Sequence, residues 1–129
     1  LMAPASAFAD LDTMKVTEKI SGAKTINAEQ AKKLFDDGVI FIDVRSDKNW
    51  SLGRIPDSEH LELTTMFTAD NLLKIVINKD DPIVIYCNSS LCHKGEVAVK
   101  RVISWGYSNI YYFHDGFLAW KSNGYPIVR

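Results

Sequence analysis

A chain of 129 residues is long enough to bury one hydrophobic core, and its length gives no reason to expect a second domain. Hydrophobic residues make up 47% and charged residues 24%, as in an ordinary globular protein. The formal net charge is −1 and no basic stripe is present, so a nucleic-acid partner is not expected. No apolar run is long enough to cross a bilayer, so we expect no membrane partner in the mature form.

The first nine residues differ in composition from the rest of the chain. Residues 1–9 are uncharged and rich in small side chains, and Ala7 and Ala9 lie three and one residues before Asp10. That A-x-A spacing is typical of a signal-peptidase site and predicts a residual signal-peptide tail, hence export to a bacterial periplasm. The alternative is an alanine-rich terminus with no targeting role. Residues 10–24 are predicted to be a lead-in segment with a short helix over 11–20.

The segment 25–129 is predicted to form one α/β domain, because short β-branched runs alternate with stretches of helical period. Ile26 is predicted to begin a strand, and Asn27 to cap a helix over 28–36 that Gly38 ends. The run 39–44 is apolar apart from one acid near its end, which is typical of a strand buried on both faces.

The remaining elements follow the same alternation. We predict helices over 48–52, 69–77, 93–105 and 116–123, and strands over 60–63, 82–86 and 110–113. Parallel strands place ligand sites beyond their carboxyl ends, and both Asp43 and Cys87 lie at such ends. These two residues are therefore predicted to share one site.

Cys87 is the main candidate for chemistry. It follows a buried strand and precedes a helix, where free amides and the helix dipole favour an anion and should lower the thiol pKa below that of free Cys. A thiolate in that position can attack sulfane sulfur and hold it as a persulfide for transfer to a second thiol. The alternative is that Cys87 is a small buried apolar residue after a strand.

Six separated segments of the sequence resemble, in order, the signatures of the rhodanese-like domain family, over residues 25–128. They are FIDVRS at 41–46, GRIP at 53–56, IVIYC at 83–87, GYSNIY at 106–111, GFLAW at 116–120 and GYP at 124–126.

The resemblance implies a three-layer α/β domain with a central parallel sheet of about five strands and helices on both faces, within the usual sheet size. It also implies a sulfurtransferase without a cofactor, moving sulfane sulfur from thiosulfate, a persulfide or a polysulfide to a thiol or other thiophilic acceptor through a Cys87 persulfide. Its partners would be that small donor and that acceptor, and a monomer is the default. The residues of the active-site loop would then be Asn88, Ser89, Ser90, Leu91, Cys92 and His93.

The resemblance also suggests residues that support the pocket. Asp43 and Arg45 are expected to hold its wall through an ion pair, either as catalytic support or as a buried scaffold pair. Trp50 is expected to line the mouth. Arg54 is expected either to meet an anionic substrate or to lie solvated at the surface.

The loop departs from the family pattern in its charge. It carries no cation before His93, which argues against thiosulfate as the physiological donor. Phosphatase and arsenate-reductase relatives need Arg at position 93 for bidentate oxyanion binding, and a neutral His cannot replace a guanidinium. A zinc site is not expected, because the spacing of Cys87, Cys92 and His93 does not match a zinc motif.

Cys92, the second of two cysteines, leaves alternatives open. It is either a resolving thiol that closes a disulfide with Cys87, or a packed residue at the helix start. We favour packing, because the turn need not bring the sulfurs within bonding distance. At the level of function, the rivals to a sulfurtransferase are a non-catalytic binding or sensory module and a Cys87–Cys92 thiol redox protein.

Overall fold

The computed structural model describes residues 18–129. The predicted signal-peptide tail and residues 11–17 of the predicted lead-in helix lie outside that range, and residues 18–20 within it are not helical. The elements are, in order, β1 (Ala23–Ile26), α1 (Ala28–Asp36), β2 (Ile40–Asp43), α2 (Asp47–Leu52), β3 (Glu59–His60), α3 (Ala69–Ile75), β4 (Ile83–Tyr86), α4 (His93–Ser104), β5 (Ile110–Phe113) and α5 (Gly116–Ser122). Among the helices of these residues, none has the length and apolar character of a membrane span.

The strands form one parallel sheet in the order β1-β5-β4-β2-β3. Its register pairs Asp43 of β2 with Tyr86 of β4, and Tyr86 with Phe113 of β5. The carboxyl ends of the three central strands therefore meet at one edge of the sheet, where parallel sheets hold their ligand sites. Cys87 directly follows Tyr86, so this register brings Cys87 and Asp43 to the same edge.

Two hydrophobic clusters cover the two faces of the sheet. All four residues of β4 are buried, as expected for a strand covered on both sides. Alternate side chains point to opposite faces, so Ile83 and Ile85 pack with α3 and α4, while Val84 and Tyr86 pack with α1 and α5. The structure confirms the predicted three-layer architecture and the five-stranded sheet.

The local sequence determines where α1 begins. The Asn27 side chain accepts from the Gln30 N–H at 2.8 Å, and the Gln30 side chain accepts from the Asn27 N–H at 2.9 Å. This reciprocal capping box satisfies two amides that the helix cannot. The predicted bounds of α1, 28–36, are confirmed.

Two predicted strands were misplaced. Ile26 ends β1 rather than beginning it, because Ala23 already pairs with Ile110 of β5, and an edge strand of small and polar residues lacks a continuous apolar signal. The third strand is the two-residue β3 rather than 60–63. The chain leaves the sheet after His60, and the Glu62 carboxylate accepts hydrogen bonds from the N–H groups of Thr64 and Thr65.

Candidate active site

Cys87 lies where β4 meets the first turn of α4. The residue is 4% exposed, and a Cβ placed on Gly95 of that turn would lie 3.5 Å from the Cys87 Cβ. The helix that begins there has 12 residues, and its N-cap residue, Cys92, makes no side-chain hydrogen bond to the helix amides. The positive end of α4 is therefore left to stabilise an anion on the adjacent sulfur.

Cys87 and Cys92 form a disulfide in the structure, with their Cα atoms 6.2 Å apart. The turn is closed by the Cys92 N–H, which donates to the Ser89 carbonyl at 3.0 Å, and by the Leu91 N–H, which donates to the Ser89 hydroxyl at 3.2 Å. The favoured prediction, a Cys92 that packs without reaching Cys87, was therefore wrong. Cys92 does pack against the core, but the tightened turn also brings its sulfur to Cys87. A free thiol at Cys87 therefore requires reduction of this disulfide.

The loop retains donors that face no protein acceptor. Among residues 18–129, the backbone N–H groups of Asn88, Ser89 and Ser90 find no such partner. The Leu91 side chain is 74% exposed, and His93 is exposed as well. A loop with free amides next to a helix N-terminus is suited to hold a negatively charged sulfur.

The start of α5 is hydrogen-bonded to this loop. The Phe117 N–H donates to the Cys87 carbonyl and the Leu118 N–H to the Asn88 carbonyl, each at 2.9 Å. The backbones approach so closely that a Cβ on Gly116 would lie 2.6 Å from the Cys87 carbonyl oxygen, and Gly116 has φ +71°. Gly116 opens the GFLAW motif at 116–120, but the sequence did not predict that it contributes to the site. The contact joins residues 29 positions apart, so local pattern alone could not reveal it.

Asp43 and Arg45 form a buried ion pair beside the loop. The Arg45 Nη2 lies 2.8 Å from the Asp43 Oδ2, and the Arg45 Nε lies 3.0 Å from Oδ1. The side chains of Asp43 and Arg45 are 0% and 2% exposed. The pair therefore acts inside the protein, where each charge depends on the other for compensation.

Arg45 also connects the pair to neighbouring segments. Its Nη2 donates to the Gly53 carbonyl at 2.7 Å, and its Nη1 lies 3.5 Å from the Asn88 Oδ1 in the loop. The guanidinium stacks over the Phe117 ring at 4.3 Å. Arg45 thus holds together the turn after α2, the active-site loop and α5, as a positioning residue.

Trp50 and Arg54 form a separate stack. The Trp50 ring lies parallel to the His60 ring at 4.5 Å, and the Arg54 guanidinium lies over Trp50 at 4.4 Å. Arg54 also donates to the Trp50 carbonyl at 3.2 Å, and His60 Nε2 lies 2.8 Å from the Arg45 carbonyl. The structure therefore ties Trp50 to the support network through His60. The guanidinium of Arg54 makes a cation–π contact with the Trp50 ring.

Glu62 anchors the segment that faces α4. Its Oε1 accepts from the hydroxyl and amide of Thr64 and of Thr65, and its Oε2 lies 3.8 Å from Lys94 Nζ. These hydrogen bonds, the one from the Thr64 hydroxyl above all, lower the pKa of Glu62 from 4.5 to about 2 despite its burial. Lys94, in the first turn of α4, therefore has the Glu62 carboxylate as an ion-pair partner.

We expect Glu62→Gln to destabilise the protein at neutral pH. The folded pKa lies below the unfolded one, so the carboxylate stabilises the fold above pH 4.5 and loses that contribution as the pH falls towards 2. The difference in urea midpoint between wild type and Glu62→Gln should therefore shrink between pH 5 and pH 2.5. The exposed Glu59→Gln serves as control and should show little difference at any pH. A difference in urea midpoint between wild type and Glu62→Gln that does not change with pH would contradict the lowered pKa of Glu62.

No group of three or more His, Cys, Asp or Glu side chains within residues 18–129 is arranged to hold an ion. Both cysteine sulfurs are bonded to each other rather than free for a metal.

Comparison with known proteins gives a consistent result. A family model for the rhodanese-like domain matches residues 27–123. The thiosulfate sulfurtransferase GlpE of Pseudomonas savastanoi pv. phaseolicola is 31% identical over 103 residues, which cover 80% of this chain and 91% of that protein.

Solved structures show the same fold. The solution structure of the rhodanese-like domain of an Anabaena protein aligns with a TM-score of 0.67 at 20% identity, covering 81% of this chain and 77% of that one. A Rhodopseudomonas palustris protein of unknown function, described as a possible tyrosine phosphatase, aligns with a TM-score of 0.70 at 25% identity, covering 84% of this chain and 86% of that one. The segment matched by the family model, 27–123, runs from the cap of α1 through α5 and contains the whole Cys87 loop. The chain belongs to the rhodanese-like domain family.

Proposed function

We propose that the reduced protein is a sulfurtransferase that carries sulfane sulfur as a persulfide on Cys87. The observation that carries this proposal is the position of the Cys87 sulfur, at the junction of β4 and the N-terminus of α4, which has no side-chain cap. The sulfurtransferase named among the relatives supports the same activity.

The reaction has two steps. The Cys87 thiolate attacks the sulfane sulfur of the donor, the donor S–S bond breaks, and sulfite or a thiolate leaves with the electron pair. The persulfide anion is held by the loop amides and the helix dipole. An acceptor thiolate then takes the outer sulfur, and the electron pair of that bond returns to Cys87.

The charges around the loop favour an organic persulfide donor over thiosulfate. Arg45 is paired with Asp43, Lys94 faces Glu62, and Arg54 stacks on Trp50. Arg45 and Lys94 thus already have carboxylate partners, and Arg54 is engaged with an aromatic ring, so the desolvation of a dianionic donor would be poorly offset. The sulfane end of an organic persulfide carries one negative charge, so it requires less compensation.

Three rival functions differ in their support. A phosphatase role would need a guanidinium at position 93, where this chain has His93. A thiol redox protein is favoured by one specific observation, the Cys87–Cys92 disulfide. A non-catalytic binding module would have no need of a cysteine at this position.

Persulfide formation tests the proposal. We expect a reduced chain in which Cys87 is the only cysteine, Cys92→Ser, to gain one sulfur atom from glutathione persulfide and less from thiosulfate, as measured by intact-protein mass spectrometry. Cyanide should remove that sulfur as thiocyanate. The matched variant Cys87→Ser should gain none. If folded Cys92→Ser gains no sulfur from either donor, the protein is not a sulfurtransferase.

A further inference from the structure

We propose that Cys92 resolves the Cys87 persulfide, so that the chain releases sulfide and completes the reaction as a disulfide. This inference rests on the proposed function and adds the product and a second reacting residue. In the structure the two sulfurs are bonded, and the Cα separation of 6.2 Å lies within the range that disulfides span. The chain holds two cysteines, so neither has another partner within it.

The geometry selects which sulfur Cys92 attacks. The bonded partner of the Cys92 sulfur is the Cys87 Sγ, which is the inner sulfur of a Cys87 persulfide. Attack at the inner sulfur expels the outer one as hydrosulfide. Attack at the outer sulfur would only move the persulfide from one cysteine to the other. The fold therefore favours the path that ends in sulfide and a disulfide.

The Cys87 persulfide anion and the Cys92 thiol give the Cys87–Cys92 disulfide and one hydrosulfide ion. The new S–S bond forms between the two cysteine sulfurs, and the persulfide S–S bond breaks. The outer sulfur leaves with the electron pair of that bond and takes the proton from Cys92. In this step the Cys92 sulfur is oxidised, the Cys87 sulfur keeps its oxidation state, and the outer sulfur is reduced to sulfide.

The cycle requires an external dithiol to return the enzyme to its reduced state. Cys92 is partly exposed, whereas Cys87 is 4% exposed, so an incoming thiolate reaches the Cys92 sulfur more readily. The leaving group is then the Cys87 thiolate, which the N-terminus of α4 stabilises, and a stable leaving thiolate speeds exchange. The overall reaction converts sulfane sulfur and a dithiol to sulfide and a disulfide.

A single turnover without added thiol tests the inference. Anaerobic, fully reduced and desalted protein is mixed with an equal amount of thiosulfate or glutathione persulfide, and sulfide is trapped with monobromobimane while intact mass is followed. The wild type should release about one sulfide per chain and lose the mass of two hydrogens. Cys92→Ser and Cys92→Ala should keep the added sulfur and release only the background level measured with Cys87→Ser.

The outcomes separate the two proposals. A wild type that holds its persulfide as stably as Cys92→Ser, with no sulfide above background, would overturn the resolving role while sulfur transfer stands. Absence of loading in folded Cys92→Ser and Cys92→Ala would overturn the proposed function itself. Formation of the disulfide in reduced wild type without any donor, at the rate seen with donor, would show simple oxidation and would also overturn the resolving role.

Discussion

Asp43→Asn should lower the free energy of unfolding by about 3–5 kcal/mol, the usual cost of removing one partner from a buried ion pair. Asparagine keeps the size of the side chain but removes its charge. The Arg45 guanidinium, 2% exposed, would then be a buried cation whose remaining oxygen partners are neutral. The loss should be seen as a fall in the urea midpoint of the oxidised protein at neutral pH.

A surface pair in the same molecule provides the control. Lys32 and Asp36 are 2.8 Å apart on α1, with side chains 28% and 57% exposed, so Asp36→Asn should cost less than about 0.5 kcal/mol. The double variant Asp43→Leu, Arg45→Met removes both buried charges and should be more stable than Asp43→Asn. A cost for Asp43→Asn no larger than that for Asp36→Asn would show that the buried pair does not hold the site together.

The part of the site that the sequence could predict is the part built from neighbouring residues. The buried run of β4, the polar turn and the helical period of α4 are contiguous, so their pattern placed Cys87 at a strand–helix junction. The parallel arrangement of strands then predicted that Asp43 lies at the same edge, and the register confirms this.

What the sequence could not predict depends on contacts between distant segments or on fine geometry. The support of the loop by α5 joins Cys87 to Phe117, and no local periodicity encodes that approach. The disulfide depends on how tightly Ser89 closes the turn. The stack of Arg54 on Trp50 depends on rotamers rather than on spacing.

Gly116→Ala should both destabilise the protein and slow persulfide formation. The left-handed backbone at φ +71° costs an L-residue about 1–2 kcal/mol. The added Cβ would also lie 2.6 Å from the Cys87 carbonyl oxygen, a distance that van der Waals radii do not allow. The loop must therefore move away from α5, weakening the hydrogen bond from the Phe117 N–H and displacing the backbone of the nucleophile. A total cost of about 3 kcal/mol is expected, within the range for strained and clashing substitutions.

Gly124→Ala separates the clash from the backbone strain. Gly124 has φ +74°, and within residues 18–129 no atom beyond its chain neighbours lies within 4 Å of the position of an added Cβ, so the alanine variant carries the strain alone. Urea unfolding should therefore show a larger loss for Gly116→Ala than for Gly124→Ala. Sulfur loading from glutathione persulfide should fall tenfold or more, on the order of what a small misplacement of a reacting group costs, for Gly116→Ala only. Equal losses of stability and unchanged loading in both variants would mean that the loop relaxes around the new methyl group, and that α5 does not set the position of Cys87.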